Sequence, residues 1–267
     1  MTQDMSFFER HEFMIRRLHS LSGLIPVGAF MVVHLTANAS INNGTEAYQK
    51  IVYQIHSLGP AVLVVEWLFI FLPIIFHALL GFVFIFQGRS NVSKYPYQAN
   101  YRYVAQRVTG MIAFFFILWH VLQMNGVIHA DWFRETIADP IGLAQFRPYN
   151  AASTAAKALQ NPIVSSLYAI GILACVFHFA NGLWTMGITW GVWVSPKAQK
   201  MASHICLGVG AIIAVIGLSA LIGFYQVDIN KAEARELEMY EQGIKSGTIL
   251  ADPHKLIDSQ RADQENH

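Results

Sequence analysis

The chain has 267 residues, a formal net charge of +1 and only two cysteines; 54% of its residues are hydrophobic and 13% are charged. Water-soluble domains carry about 25% charged residues, so a soluble globular class is excluded; the net charge by itself says nothing about nucleic acid, and the sequence has no basic patch with interleaved aromatics to suggest it as a partner. The charges are also sparse over windows of about 20 residues, the length that crosses a bilayer core. A polytopic membrane protein is expected.

The N-terminal MTQDMSFFERHEFMIRR lacks a short apolar core followed by a small-residue cleavage site, so the first span is expected to act as its own insertion signal. Five spans follow, at about 17–39, 61–87, 103–125, 163–193 and 203–226, each long enough to cross roughly 30 Å as a helix. Pro26 and Pro73 are tolerable inside them, because neighbouring helices can satisfy freed carbonyls. None of the runs alternates as barrel strands do. The expected fold class is all-α, a five-transmembrane-helix bundle. Cys175 and Cys206 lie in apolar runs without CxxC spacing and read as small buried hydrophobes.

Two segments lie outside the spans. The 126–162 connection mixes Asp131, Arg134, Glu135, Pro140 and Pro148 and predicts a surface loop with a short helix. After Gln226 the composition turns polar and acidic: KAEARELEMYEQGIKSG predicts an exposed helix ahead of a mobile end. The chain thus divides into a membrane anchor, 1–226, and a C-terminal tail, 227–267.

Orientation follows from the basic residues. Arg10, Arg16, Arg17, Arg89, Lys94, Arg102, Arg107, Lys197 and Lys200 fall on one side, against Lys50, Arg134, Arg147 and Lys157 on the other. The nine sit tight against span ends, which places the N-terminus in the cytoplasm and the C-terminus outside. Tyr95, Tyr97, Trp132, Trp190 and Trp193 fit interfacial aromatic belts.

Four spans each carry a histidine in a strongly apolar setting: His34, His77, His120 and His178. In an antiparallel bundle, position along a helix converts to depth at about 1.5 Å per residue. His34 and His120 then lie about 8–9 Å below the outer ends of their spans, and His77 and His178 about 24–26 Å below theirs. Two level pairs on different helices emerge. Neutral imidazole is a good iron ligand, and two imidazoles fill both axial positions of a haem, which suits electron transfer. Two haems held in the bundle are expected. Taken singly, each histidine reads equally well as an interhelical hydrogen-bonding group or part of a proton path.

Arg17, His19, Ser22, Arg107 and Thr109 cluster at the inner interface and are candidate partners for anionic haem propionates; Asn181 lies on nearly the same helix face as His178. Gly23, Gly28, Gly81, Gly110 and Gly182 allow close approach in the ligand-bearing spans. Glu66, the acid well inside a span, is a candidate for a quinone site or proton path. His11, His56, His129, His254 and His267 are expected in solvent, with His204 at the start of the last span.

The segments RRLHSLSGLIPVGAFMVVH (Arg16–His34), EWLFIFLPIIFHALLG (Glu66–Gly81), QRVTGMIAFFFILWH (Gln106–His120) and FHFANGLWTMGITWG (Phe177–Gly191) resemble the membrane-anchor cytochrome b subunit of succinate:quinone oxidoreductases, of the single-chain, five-helix, two-haem type. That resemblance implies His34 and His120 as axial ligands of an outer haem b, and His77 and His178 of an inner one. It implies a bacterial cytoplasmic membrane location, and electron exchange with a quinone, typically menaquinone. It further implies a flavoprotein and an iron–sulfur subunit docked on the cytoplasmic face, carrying the FAD and the clusters, and allows a higher oligomer of the complex. Succinate oxidation itself would fall to a partner subunit. Two other readings stay open: a quinone-reactive haem anchor of another respiratory dehydrogenase, and a haem-free structural anchor. The tail and the long 126–162 connection depart from the compact family pattern.

Overall fold

The computed structural model describes residues 7–126 and 131–265. His129 and His267, expected in solvent, lie outside them. Every regular element among the described residues is helical. Helix α1 (Phe7–Ser22) runs through a π-helical turn, Gly23–Gly28, into α2 (Ala29–Ala39) and a short 3-10 turn, Ser40–Asn43. After α3 (Thr45–His56), α4 (Ala61–Glu66) joins α5 (Leu72–Gln87) through a second π-helical stretch, Trp67–Phe71. Then come α6 (Gln98–Met124), the short α7 (Asp131–Phe133), α8 (Ala151–Leu159), α9 (Pro162–Thr189), α10 (Pro196–Tyr225), α11 (Ile229–Lys245) and α12 (Asp258–Glu265).

Both π-helical stretches are associated with proline. Pro26 lies inside the first and Pro73 just after the second. A proline lacks the N–H donor and crowds the carbonyl one turn back, and a widened turn accommodates both defects without ending the helix. His34 and His77 each stand six residues beyond the end of such a turn, at Gly28 and Phe71 respectively.

Among the described residues, five helical stretches are long and apolar enough to cross a bilayer: Arg10–Asn43, Ala61–Gln87, Gln98–Met124, Pro162–Thr189 and Pro196–Tyr225. Their large apolar side chains are widely exposed, as at Leu68, Phe69, Leu79, Phe86, Phe115 and Leu207. In water such surface would be an aggregation hazard; in lipid tails it is solvated.

By contacts the chain forms two compact units. One comprises residues up to Val33, Leu63–Phe114 and Leu173–Ala214; the other comprises His34–Val62, Phe115–Ile172 and the chain from Val215 on.

The second unit contains a polar-lined assembly that differs from the expected exposed tail. Helix α11 buries Ala232, Glu236, Met239, Tyr240 and Gly243, a helically spaced stripe, and packs on α8 and α3. Nearly all of α8 is buried, which its run of alanines permits. Tyr149, Tyr240 and Leu256 form an apolar centre with Tyr53, Leu237 and Ile249 packed around it. Asn150 ties in the chain end, donating to Gln260 Oε1 at 3.0 Å and accepting from Ile257 N–H at 3.0 Å. Arg235 reaches Glu46 of α3 at 2.8 Å, and hydrogen bonds from Lys50 and Arg235 draw the Glu46 carboxyl down to about 2. His56, expected in solvent, is half-buried here; burial, then Lys255, pull its pKa down to about 4.

Glu236 is fully buried and serves α8 from outside. Its Oε1 accepts from the N–H groups of Ala152 (2.6 Å) and Ser153 (3.2 Å), and its Oε2 from Ser153 Oγ at 2.5 Å. These N–H groups have no partner inside α8, so a carboxylate from α11 supplies the cap. Burial nevertheless pushes the Glu236 pKa up to about 7.

Candidate functional site

The first unit brings His77 of α5 and His178 of α9 together with their ring planes nearly perpendicular, at 88°, and their ring centres 6.1 Å apart. The second pairs His34 of α2 with His120 of α6, at 5.8 Å and 68°. A metal held by an imidazole nitrogen on each side at about 2 Å puts the ring centres roughly 6 Å apart. Both pairs match that span. Among the described residues no three His, Cys, Asp or Glu side chains converge as a metal site. Each pair therefore offers two imidazoles, too few to hold a bare ion but the number an iron would take if a porphyrin filled its other positions.

Hydrogen bonds select which nitrogen is presented. His77 Nδ1 lies 2.9 Å from the carbonyl of His19, and His178 Nδ1 3.0 Å from the carbonyl of Gln106. A carbonyl only accepts, so each Nδ1 carries the proton and each Nε2 keeps the lone pair that could bind a metal. His120 Nδ1 lies 3.1 Å from the hydroxyl of Tyr168. His34 differs: its Nε2 lies 3.1 Å from the Asn38 amide nitrogen, one turn along α2, a contact an iron would displace.

Two glycines clear space for these rings. A Cβ at Gly23 would stand 2.6 Å from His77 Nδ1, and one at Gly110 would stand 2.8 Å from His178 Cε1. Neither site tolerates a side chain while the imidazole keeps its place.

Behind His178 runs a chain of polar groups. Gln106 Nε2 donates to the His178 carbonyl at 3.0 Å, and Asn181 Nδ2 donates to Gln106 Oε1 at 2.7 Å. Arg102 Nε donates to Asn181 Oδ1 at 2.8 Å, its Nη1 to Ser203 Oγ at 2.8 Å, and its guanidinium lies 3.8 Å from the ring centre of Trp184. Asn181, expected near His178, thus braces the helix that carries it. Arg102 and Gln106 were not among the expected site residues.

The remaining candidates separate by what their polar atoms do. Arg17 gives Nη2 to the Thr189 carbonyl at 3.3 Å and lies over the rings of Phe13 and Trp190. Arg107 lies 3.4 Å over the ring of Tyr103 and borders a cavity of about 440 Å³ with Arg16, Phe84, Gln87, Gly88, Arg89 and Tyr103. His19 stacks on His77 at 4.0 Å. Arg17 Nε, His19 Nδ1 and Arg107 Nε are buried without a hydrogen-bond partner among the described residues. Buried donors of this kind ordinarily meet an acceptor. By contrast, Ser22 and Thr109 spend their hydroxyl protons on carbonyls of their own helix, at His19 (2.9 Å) and Ala105 (2.7 Å). Glu66 is half-buried at the end of α4, where the π-helical stretch begins.

Fold and site together define a polytopic all-helical membrane protein with two imidazole-pair centres. Residues 90–218 match the family model described as succinate dehydrogenase/fumarate reductase transmembrane subunit. The chain is 36% identical over 213 residues to the succinate dehydrogenase cytochrome b558 subunit of Bacillus subtilis (strain 168), an alignment covering 80% of this chain and 97% of that one. The chain belongs to the family of cytochrome b membrane anchors of succinate dehydrogenase and fumarate reductase.

Proposed function

We propose that the chain holds two b haems, one between His77 and His178 and one between His34 and His120, and carries electrons between an iron–sulfur subunit and membrane quinone. The observation that carries this reading is the pair of imidazole couples at 6.1 and 5.8 Å, each spaced for one iron. When bound, such haems supply reversible one-electron storage and no open position for oxygen.

The protein's own residues fix the ligand rings and neutralise charge. The carbonyls of His19 and Gln106 hold His77 and His178 in the tautomer that presents Nε2. Arg17, His19 and Arg107 offer buried donors to the propionates of the His77/His178 haem. Ser22 and Thr109 line that end without an available proton, and Asn181 acts through Gln106 on the His178 backbone. The Arg and Lys distribution orients the N-terminus to the cytoplasm. There a flavoprotein, which oxidises succinate, and an iron–sulfur subunit would dock. Glu66 is the candidate for quinone binding or proton exchange, with menaquinone the quinone class.

Purification of the intact complex from membranes tests this reading. Co-purifying flavoprotein and iron–sulfur subunits, with b-type absorbance that succinate reduces and quinone reoxidises, are expected. A chain isolated with other dehydrogenase subunits, or with no reducible b-type absorbance, contradicts it.

A further inference from the structure

The two imidazole pairs are not held alike. Both Nδ1 atoms of the His77/His178 pair face main-chain carbonyls, which substitution cannot remove. His120 instead faces a side chain. Tyr168, 5% exposed on α9, places its hydroxyl oxygen 3.1 Å from His120 Nδ1 and donates its own proton to Gln123 Oε1 at 3.0 Å. Gln123 is itself 5% exposed and lies one turn beyond His120 on α6. The relay has a fixed direction, because a hydroxyl that gives its proton to an amide oxygen has only lone pairs to offer the imidazole N–H.

The surroundings hold this hydroxyl in place. Phe116 and Trp119 meet the Tyr168 ring at centroid distances of 5.3 and 5.2 Å, and His120 meets it at 5.6 Å. Gln123 is anchored in turn: its carbonyl accepts from Gln145 N–H at 2.8 Å, while Leu122 and Met124 accept from Ala144 and Phe146. The 144–146 segment therefore satisfies the last carbonyls of α6, groups that a helix cannot pair internally. Arg147, next in the chain, donates to the Ala144 and Phe146 carbonyls and pairs with Asp139 at 3.5 Å. The 144–147 segment thus fixes the end of α6 from which Gln123 reaches Tyr168.

We propose that Tyr168 and Gln123 are positioning residues that set the electron-donating strength of His120, and with it the midpoint potential of the haem held by His34 and His120. This rests on the assignment of that haem and deepens it. An acceptor on Nδ1–H gives the ring partial imidazolate character and makes Nε2 a stronger donor, which favours ferric iron and lowers the potential. Polarisation along the Tyr168–Gln123 bond reinforces the effect.

Tyr168→Phe keeps the ring and its packing and removes only the hydroxyl. In the full complex, with haem content first shown to equal wild type, redox titration of the b-band absorbance should show the midpoint of one haem shifted upward and the other unmoved. The moved component should be the one that His120→Ala deletes. Gln123→Ala, which leaves the hydroxyl but takes its acceptor, should move the same component in the same direction by less. Unchanged midpoints in both variants, or equal shifts of both haems, overturn the proposal. Should Tyr168→Phe fail to assemble, Gln123→Ala decides on the same criterion. Loss of the haem assignment itself would appear separately, as a His120→Ala variant with undiminished haem.

Discussion

The imidazole of His19 lies flat on that of His77, ring centres 4.0 Å apart and planes within 9°, while the His19 carbonyl accepts from His77 Nδ1. One residue thus orients His77 through its backbone and covers it with its ring. Substitution removes only the second function.

His19→Ala should accordingly keep His77 in its tautomer and retain haem there, but hold it less tightly. Losing ring contact and a buried donor is worth about 1–3 kcal/mol, roughly tenfold or more in retention. Haem loss during competition with apomyoglobin is the measurement, with the His34/His120 haem as internal reference. Equal loss from both centres would show that His19 has no special relation to one of them.

Gly110→Ala places a Cβ where His178 Cε1 now sits 2.8 Å away, so the ligand ring must move. Haem content should fall toward one per chain, with the loss confined to the His77/His178 component of the difference spectrum. Gly208→Ala is the control, since a Cβ there meets nothing within 4 Å. Full haem in Gly110→Ala would mean that the contact does not constrain the ligand.

Arg102→Ala removes the donor to Asn181 Oδ1, an atom of a residue only 4% exposed. An unsatisfied buried acceptor costs about 1–3 kcal/mol. Thermal unfolding in detergent should begin several degrees lower, with haem content intact at room temperature. An unchanged transition would place Arg102 at the interface alone.

Glu236 gives a pH dependence whose sign is fixed. Burial raises its folded-state pKa from 4.5 to about 7, so its contribution is full below about 4.5 and is lost as pH rises through about 7. The shift corresponds to on the order of 3 kcal/mol. Glu236→Gln keeps an acceptor oxygen for Ala152 and Ser153 but cannot ionise. Thermal unfolding followed between about pH 5 and pH 8 should decline in wild type and flatten in the variant. Parallel curves would assign the dependence to another group.

The four histidines were legible as a set because a lone imidazole in an apolar span is conspicuous, and the structure brings them together in the two pairs their depths predict. All five spans were legible from hydropathy alone. Gln106, Gln123 and Tyr168 were not, because a neutral polar residue in a membrane helix leaves no trace of its partner until the neighbouring helix is placed. Arg102 enters the sequence reading only as one of nine basic residues that set orientation, since charge near a span end looks the same whether it meets water or a buried amide. The tail misled for a similar reason. Its stripe at Ala232, Glu236, Met239, Tyr240 and Gly243 has helical period, but a glutamate within it masked the buried face.

Haem per chain, measured as the pyridine haemochrome in the purified complex, tests the central assignment most directly. Two per chain in the parent, one in His77→Ala and one in His120→Ala are expected, with a different spectral component missing from each variant. An unaltered ratio in either variant, or the same component lost from both, would contradict the account.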